Sequence, residues 1–111
     1  MPEITDGVQF DTIAREWRLK WENKECLAEV QKVLDTHKSE LKSLSGLKSV
    51  QRIVCGGCQD FKVITALEHA KFNAWAEAGF TPESKYLEAV KKIEGVSVVE
   101  TQTYTLMPVE I

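Results

Sequence analysis

Lys48-Ser49-Val50-Gln51-Arg52-Ile53-Val54, then Cys55-Gly56-Gly57-Cys58, then Phe61-Lys62-Val63-Ile64-Thr65-Ala66-Leu67, is the stretch that decides the fold. Residues 48–54 and 61–67 are short runs of β-branched and apolar side chains bounded by turn residues, which predicts two strands. Paired glycines accept positive φ, so the residues between predict the turn of a hairpin, irregular from Cys55 to Asp60. Upstream, residues 9–21 alternate. Ile13, Trp17, Leu19 and Trp21 share one parity, with Arg15 the exception, and Ala14, Glu16, Arg18 and Lys20 share the other. Period two with aromatics predicts a half-buried strand. Between that strand and the hairpin, Leu27, Val30, Val33, Leu34, His37, Leu41 and Leu44 recur at helical spacing, with Asn23 as N-cap and Gly46 as stop.

Downstream the period changes again. Phe72, Trp75, Ala76 and Phe80 form the stripe of a helical region starting near Glu68. Thr81-Pro82 interrupts it, Thr81 as a cap and Pro82 at a first helical position. Tyr86, Leu87, Val90 and Ile93 continue it and Gly95 ends it. Residues 96–107, rich in Val and Thr, predict the last strand. The order β-α-β-β-α-β predicts an α+β, ferredoxin-like domain: a four-stranded antiparallel sheet with its helices on one face. Residues 1–8 read as a flexible arm and residues 9–111 as a single domain.

The 111 residues are 43% hydrophobic and 28% charged, which suits a folded chain, and no apolar run approaches the length of a membrane span. A net charge of −3 disfavours non-specific nucleic-acid binding. The start shows no signal-peptide pattern and the three cysteines are an odd count, so free thiols in a reducing compartment are expected, in the cytoplasm or an organelle interior and not secreted.

Helices on one side leave the other side of the sheet bare. It carries Glu16, Arg18 and Lys20, and from the last strand either Glu100, Gln102 and Tyr104 or Thr101, Thr103 and Thr105. Both sets are polar, and a second copy is expected to cover them, forming a homodimeric α/β barrel. Arg18 has the fork to hold a carboxylate, and Lys20 and Lys62 add point charge, so the expected ligand is anionic or carbonyl-bearing. The candidate ligand-binding set is Glu16, Arg18, Lys20, Lys62, Gln102 and Tyr104; the competing reading is ion pairing with Glu16 or Glu100. Trp17 and Trp21 suit core packing or a pocket wall. Cys55 and Cys58 have three readings: a turn with small thiols, a redox-sensitive pair, or a weak metal site short of ligands. His69 with Tyr104 is a conceivable acid–base pair, but His69 starts a helix on the wrong layer; His37 reads as half-buried packing. Phosphate-loop, dinucleotide, zinc-protease and serine-hydrolase motifs are missing, and no cofactor is expected.

Residues 41–109 resemble the ligand-binding domain of the leucine-responsive/asparagine (Lrp/AsnC) regulators and the wider dimeric α/β barrel superfamily. The resemblance rests on Leu44-Ser45-Gly46-Leu47-Lys48-Ser49-Val50, on Gly56-Gly57-Cys58-Gln59-Asp60-Phe61-Lys62-Val63, on Ile93-Glu94-Gly95-Val96, and on Thr101 to Leu106. It implies a dimer or larger assembly that binds small effectors near subunit contacts. The wider superfamily also includes stress-responsive barrel proteins and small cofactor-free monooxygenases. No DNA-binding helix-turn-helix accompanies the match, strand one carries Trp17-Arg18-Leu19-Lys20-Trp21, and cysteines flank the glycine turn. The leading expectation is therefore a homodimeric barrel that binds a small molecule or a protein partner without catalysis. A cofactor-independent monooxygenase or cyclase is the alternative, and a structural subunit of a larger complex the second alternative.

Overall fold

The computed structural model describes residues 1–111. A small hairpin, β1 (Glu3–Thr5) with β2 (Val8–Gln9), lies within and just past the stretch read as an arm. The domain then runs β3 (Thr12–Lys20), α1 (Lys24–Lys42), β4 (Leu47–Cys55), β5 (Asp60–Glu68), α2 (His69–Glu77), α3 (Glu83–Lys91) and β6 (Ser97–Leu106). The sheet order is β4-β5-β3-β6, and every pairing is antiparallel. This is the ferredoxin-like arrangement that the element order predicts.

Local chemistry sets the boundaries. The Asn23 side chain accepts from the Cys26 amide at 2.9 Å and starts α1. Cys26, Val30, Leu34 and Leu41 form its buried stripe. Gly46 follows with φ +79°, and a Cβ there would meet the Lys71 side chain at 2.5 Å, so both conformation and space demand glycine. Trp17 and Leu19 of β3, and Trp21 just past it, pack with Phe61, Val63 and Leu67 of β5 and with Phe72, Trp75, Tyr86 and Val90 of the helices in one core.

Two details depart from the sequence reading. The hairpin turn takes its positive φ at Gln59 (+56°), not at Gly56 or Gly57. Pro82 is the N-cap of α3 and not its first helical residue, while the Thr81 hydroxyl donates to Glu40 at 3.1 Å and caps nothing. The register also settles the parity of β6. Tyr104, Gln102 and Glu100 stand opposite Ala14, Glu16 and Arg18, so they share the uncovered face. The register slips between Arg18 and Lys20, where Val98 adopts φ +49°.

Candidate functional site

On the uncovered face, Glu16 lies mid-strand with only 6% of its surface exposed. The Tyr104 hydroxyl donates to its carboxylate at 3.0 Å. Burial and that carboxylate push the Tyr104 hydroxyl up to about 12. Arg18 reaches Glu100 at 3.7 Å, and Lys20 reaches Asp60 at 2.7 Å, a contact that holds the Asp60 carboxyl below its ordinary range. Lys62 pairs in register with Arg18, and Gln102 with Glu16. All six residues named as ligand candidates therefore lie on one face. Glu16, Arg18, Lys20 and Tyr104 direct their charge or hydrogen bond to protein groups.

The opposite, helix-covered face holds chemistry that the alternation flagged only through its exception. Arg15 donates from Nε to Glu83 Oε1 at 2.8 Å, from Nη1 to Thr103 at 2.9 Å and from Nη2 to Thr101 at 3.0 Å. Its guanidinium lies 4.0 Å from the Phe80 ring centre. Trp17 Nε1 donates to the same Glu83 oxygen at 2.8 Å. Tyr86 stacks on Trp17 with ring centres 4.5 Å apart and meets His37 edge-on at 5.9 Å. The Tyr86 hydroxyl and Thr65 Oγ1 are both buried without a hydrogen-bond partner, and burial raises the Tyr86 hydroxyl well above its ordinary value. Orphaned buried hydroxyls are rare in folded proteins. His69 sits at the start of α2 with its ring edge-on to Phe10, on the layer where the sequence placed it.

The same face opens at its β4 edge into a cleft of about 640 Å³. Leu34 and Leu41 from α1 and Leu47 and Val50 from β4 give it an apolar floor, and Gln31, Lys38, Lys42 and Arg52 form its rim. Arg52 is steadied by Gln31 at 2.8 Å and Lys38 by Asp35 at 2.8 Å, while Lys42 makes no ion pair. Val50 is the cross-strand neighbour of Thr65, so the orphaned hydroxyl lies one strand in from the cleft wall. Size and lining suit a small, largely apolar molecule that carries negative charge. The sequence pattern does not single out Lys38, Lys42 or Arg52. The available signal was that Lys38 and Lys42 flank the apolar stripe of α1 at i+4 from Leu34 and i+1 from Leu41.

The cysteines correct an expectation. Cys55 and Cys58 are joined in a disulfide, with Cα atoms 5.5 Å apart, so neither sulfur is a free thiol or a metal ligand; Cys26 is the buried free cysteine. No three His, Cys, Asp or Glu residues gather closely enough to hold a metal ion. No helix is long and apolar enough to cross a membrane.

No family model matches the sequence, and no curated protein sequence matches it. Solved structures do match in fold. A protein from Deinococcus radiodurans assigned as an antibiotic biosynthesis monooxygenase is 12% identical, with TM-score 0.67, covering 89% of this chain and 96% of its own. SnoaB, a cofactor-independent oxygenase from Streptomyces nogalater, matches at 15% identity and TM-score 0.58, over 89% and 96% of the two chains. The monooxygenase ActVA-Orf6 of Streptomyces coelicolor, solved with the ligand nanaomycin D, matches at 12% identity and TM-score 0.62, over 92% of each chain. These neighbours share the ferredoxin-like fold, and a likeness to Lrp/AsnC-type domains is not shown. They correct one expectation: named as oxygenases, they turn the leading expectation of a barrel without catalysis toward its enzymatic alternative.

Proposed function

We propose that this protein is a cofactor-independent monooxygenase acting on a planar, electron-rich small molecule with an acidic phenol or enol. The observation that carries the reading is the 640 Å³ cleft between α1 and β4, apolar in its floor and cationic at its rim, in a fold shared over almost its whole length with oxygenases. Without a cofactor, the first electron delivered to triplet oxygen must come from the substrate, and only its anion is a strong enough donor. Leu34, Leu41, Leu47 and Val50 would hold the rings away from water, which strengthens charge interactions in the cleft. Lys42 and Arg52 would stabilise the phenolate or enolate and the oxyanion that follows. A ring CH₂ then becomes C=O: dioxygen supplies one oxygen atom to the carbon and the other leaves as water. The substrate provides all four electrons, so no external reductant enters.

The uncovered face has a different role in this reading. Two copies stack these faces, and Glu16, Arg18, Lys20, Lys62, Gln102 and Tyr104 line the polar seam between them.

The test is oxygen uptake with a panel of hydroxylated anthrones in chelator-treated buffer, with ¹⁸O₂ incorporation read by mass spectrometry. One atom of ¹⁸O per product is expected, with turnover lost when Val50→Trp fills the cleft and folding is unchanged. Uptake no faster than without protein for every member of the panel would sink the proposal.

A further inference from the structure

We infer that Cys55 and Cys58 form a thiol–disulfide exchange site for a low-molecular-weight thiol, independent of the oxygenase reading. The disulfide closes the tip of the β4–β5 hairpin across Gly56 and Gly57. Stabilisation by a crosslink grows with the loop that it closes, and this loop is among the shortest possible. The hairpin end has other fastenings. The Trp21 amide donates to the Gln59 carbonyl at 3.0 Å, Trp21 Nε1 to the Asp60 carbonyl at 3.1 Å, and Gln59 Nε2 to the Glu22 carbonyl at 2.8 Å. As a staple, the bond adds little.

As a reactive bond, it is open and asymmetric. Cys58 is exposed and Cys55 half-buried. A side chain built on Gly56 or Gly57 would meet no atom within 4 Å, so the loop between the two cysteines is uncovered. An open cleft of about 460 Å³ has Cys58, Gln59 and Ser97 in its wall, room for a tripeptide-sized thiol beside Cys58. Lys20 Nζ donates to the Cys58 carbonyl at 2.9 Å and pairs with Asp60 at 2.7 Å, which holds the turn against β3. The Cys58 amide donates to Cys55 Sγ at 3.0 Å, so Cys55 is the sulfur whose thiolate is held by a hydrogen bond.

These contacts fix the direction of exchange. An incoming thiolate attacks exposed Cys58 Sγ, the sulfur–sulfur bond breaks, and its electron pair leaves on Cys55 Sγ. A second thiolate attacks the added sulfur of the mixed disulfide and displaces Cys58 as thiolate. Two small thiols are thus oxidised to their disulfide and the pair is reduced to two thiols, by two electrons in all.

The full chain is equilibrated in mixtures of reduced and oxidised glutathione, quenched in acid, labelled with a maleimide under denaturing conditions and weighed intact. The expected result is a reversible change between one labelled thiol and three, with unchanged far-UV circular dichroism in the unquenched samples. A pair that fails to re-form in oxidised glutathione, or a chain that unfolds when the pair is reduced, overturns the inference. The asymmetry is read from single variants. The pH midpoint of iodoacetamide reaction at Cys55 in Cys58→Ser is expected at least about one unit below that at Cys58 in Cys55→Ser. Equal midpoints overturn the assignment of Cys55 as leaving sulfur.

Discussion

At the scale of single residues, the two orphaned hydroxyls separate packing from chemistry. A buried hydroxyl without a partner loses its water and gains nothing in return. Tyr86→Phe keeps the ring stacked on Trp17 and is expected to raise stability by about 1 kcal/mol. Urea unfolding checks it; a loss of stability would mean that the hydroxyl has a partner. Thr65→Val is expected to stabilise similarly, and to lower turnover if the hydroxyl beside Val50 meets substrate. Tyr104 supplies the pH dependence. Its hydroxyl is raised to about 12 in the fold from about 10 in an unfolded chain. The folded state therefore favours the protonated form. That contribution is whole below pH 10 and is lost as pH rises toward 12. Tyr104→Phe should flatten this alkaline loss relative to the parent chain in thermal melts across that range; parallel curves would show that neither burial nor Glu16 disfavours its ionisation in the fold.

Between elements, the strongest side-chain tie joins strand to helix. Arg15 and Glu83 lock β3 to α3 with side chains only 16% and 14% exposed. Glu83→Gln leaves the guanidinium without its counter-charge and costs the Trp17 indole a charged acceptor. The expected loss is about 3 kcal/mol, and the pair replacement Arg15→Met with Glu83→Leu should recover most of it. Urea unfolding of the three chains decides; a single variant as stable as the parent chain would show the tie to be ornamental. The sequence announced this contact only negatively, as the one charged residue on the apolar parity of β3. Periodicity predicts which face a residue joins, and Arg15 did join the helix face, but its partner lies 68 residues away, beyond any local pattern. The elements themselves were legible because each change of period sits between its own cap or turn residues. The +49° φ of Val98 was not legible, because a β-branched side chain argues against such a backbone. The cleft was hidden for a different reason: α1 and β4 each show half of it, and neither half looks like a site alone.

At the scale of the whole molecule, the bare sheet face demands an account. Four strands about 4.8 Å apart, nine residues long at about 3.3 Å each, span roughly 600 Å² in projection. Corrugated by side chains, that approaches the roughly 800 Å² per partner of a stable association. The face is not uniformly polar. Ile64 is half-buried at its centre and Ile53 of β4, the register partner of Lys62, is exposed beside it, with ionic and hydrogen-bonded pairs toward the rim. An apolar centre inside a polar surround is the anatomy of an interface. Light scattering should therefore give twice the chain mass of 12.5 kDa at micromolar concentration. Ile64→Glu sets a carboxylate beside Glu16, its register partner, and stacking would bury both charges. A solvated face would tolerate that change, whereas a stacked one would not. The variant should halve the particle mass while keeping its circular dichroism and, because the α1–β4 cleft lies on the other side of the sheet, its affinity for ligands of that cleft. A parent chain that scatters as a monomer, or an Ile64→Glu dimer as tight as the parent, would leave the bare face facing water and remove the seam from the reading.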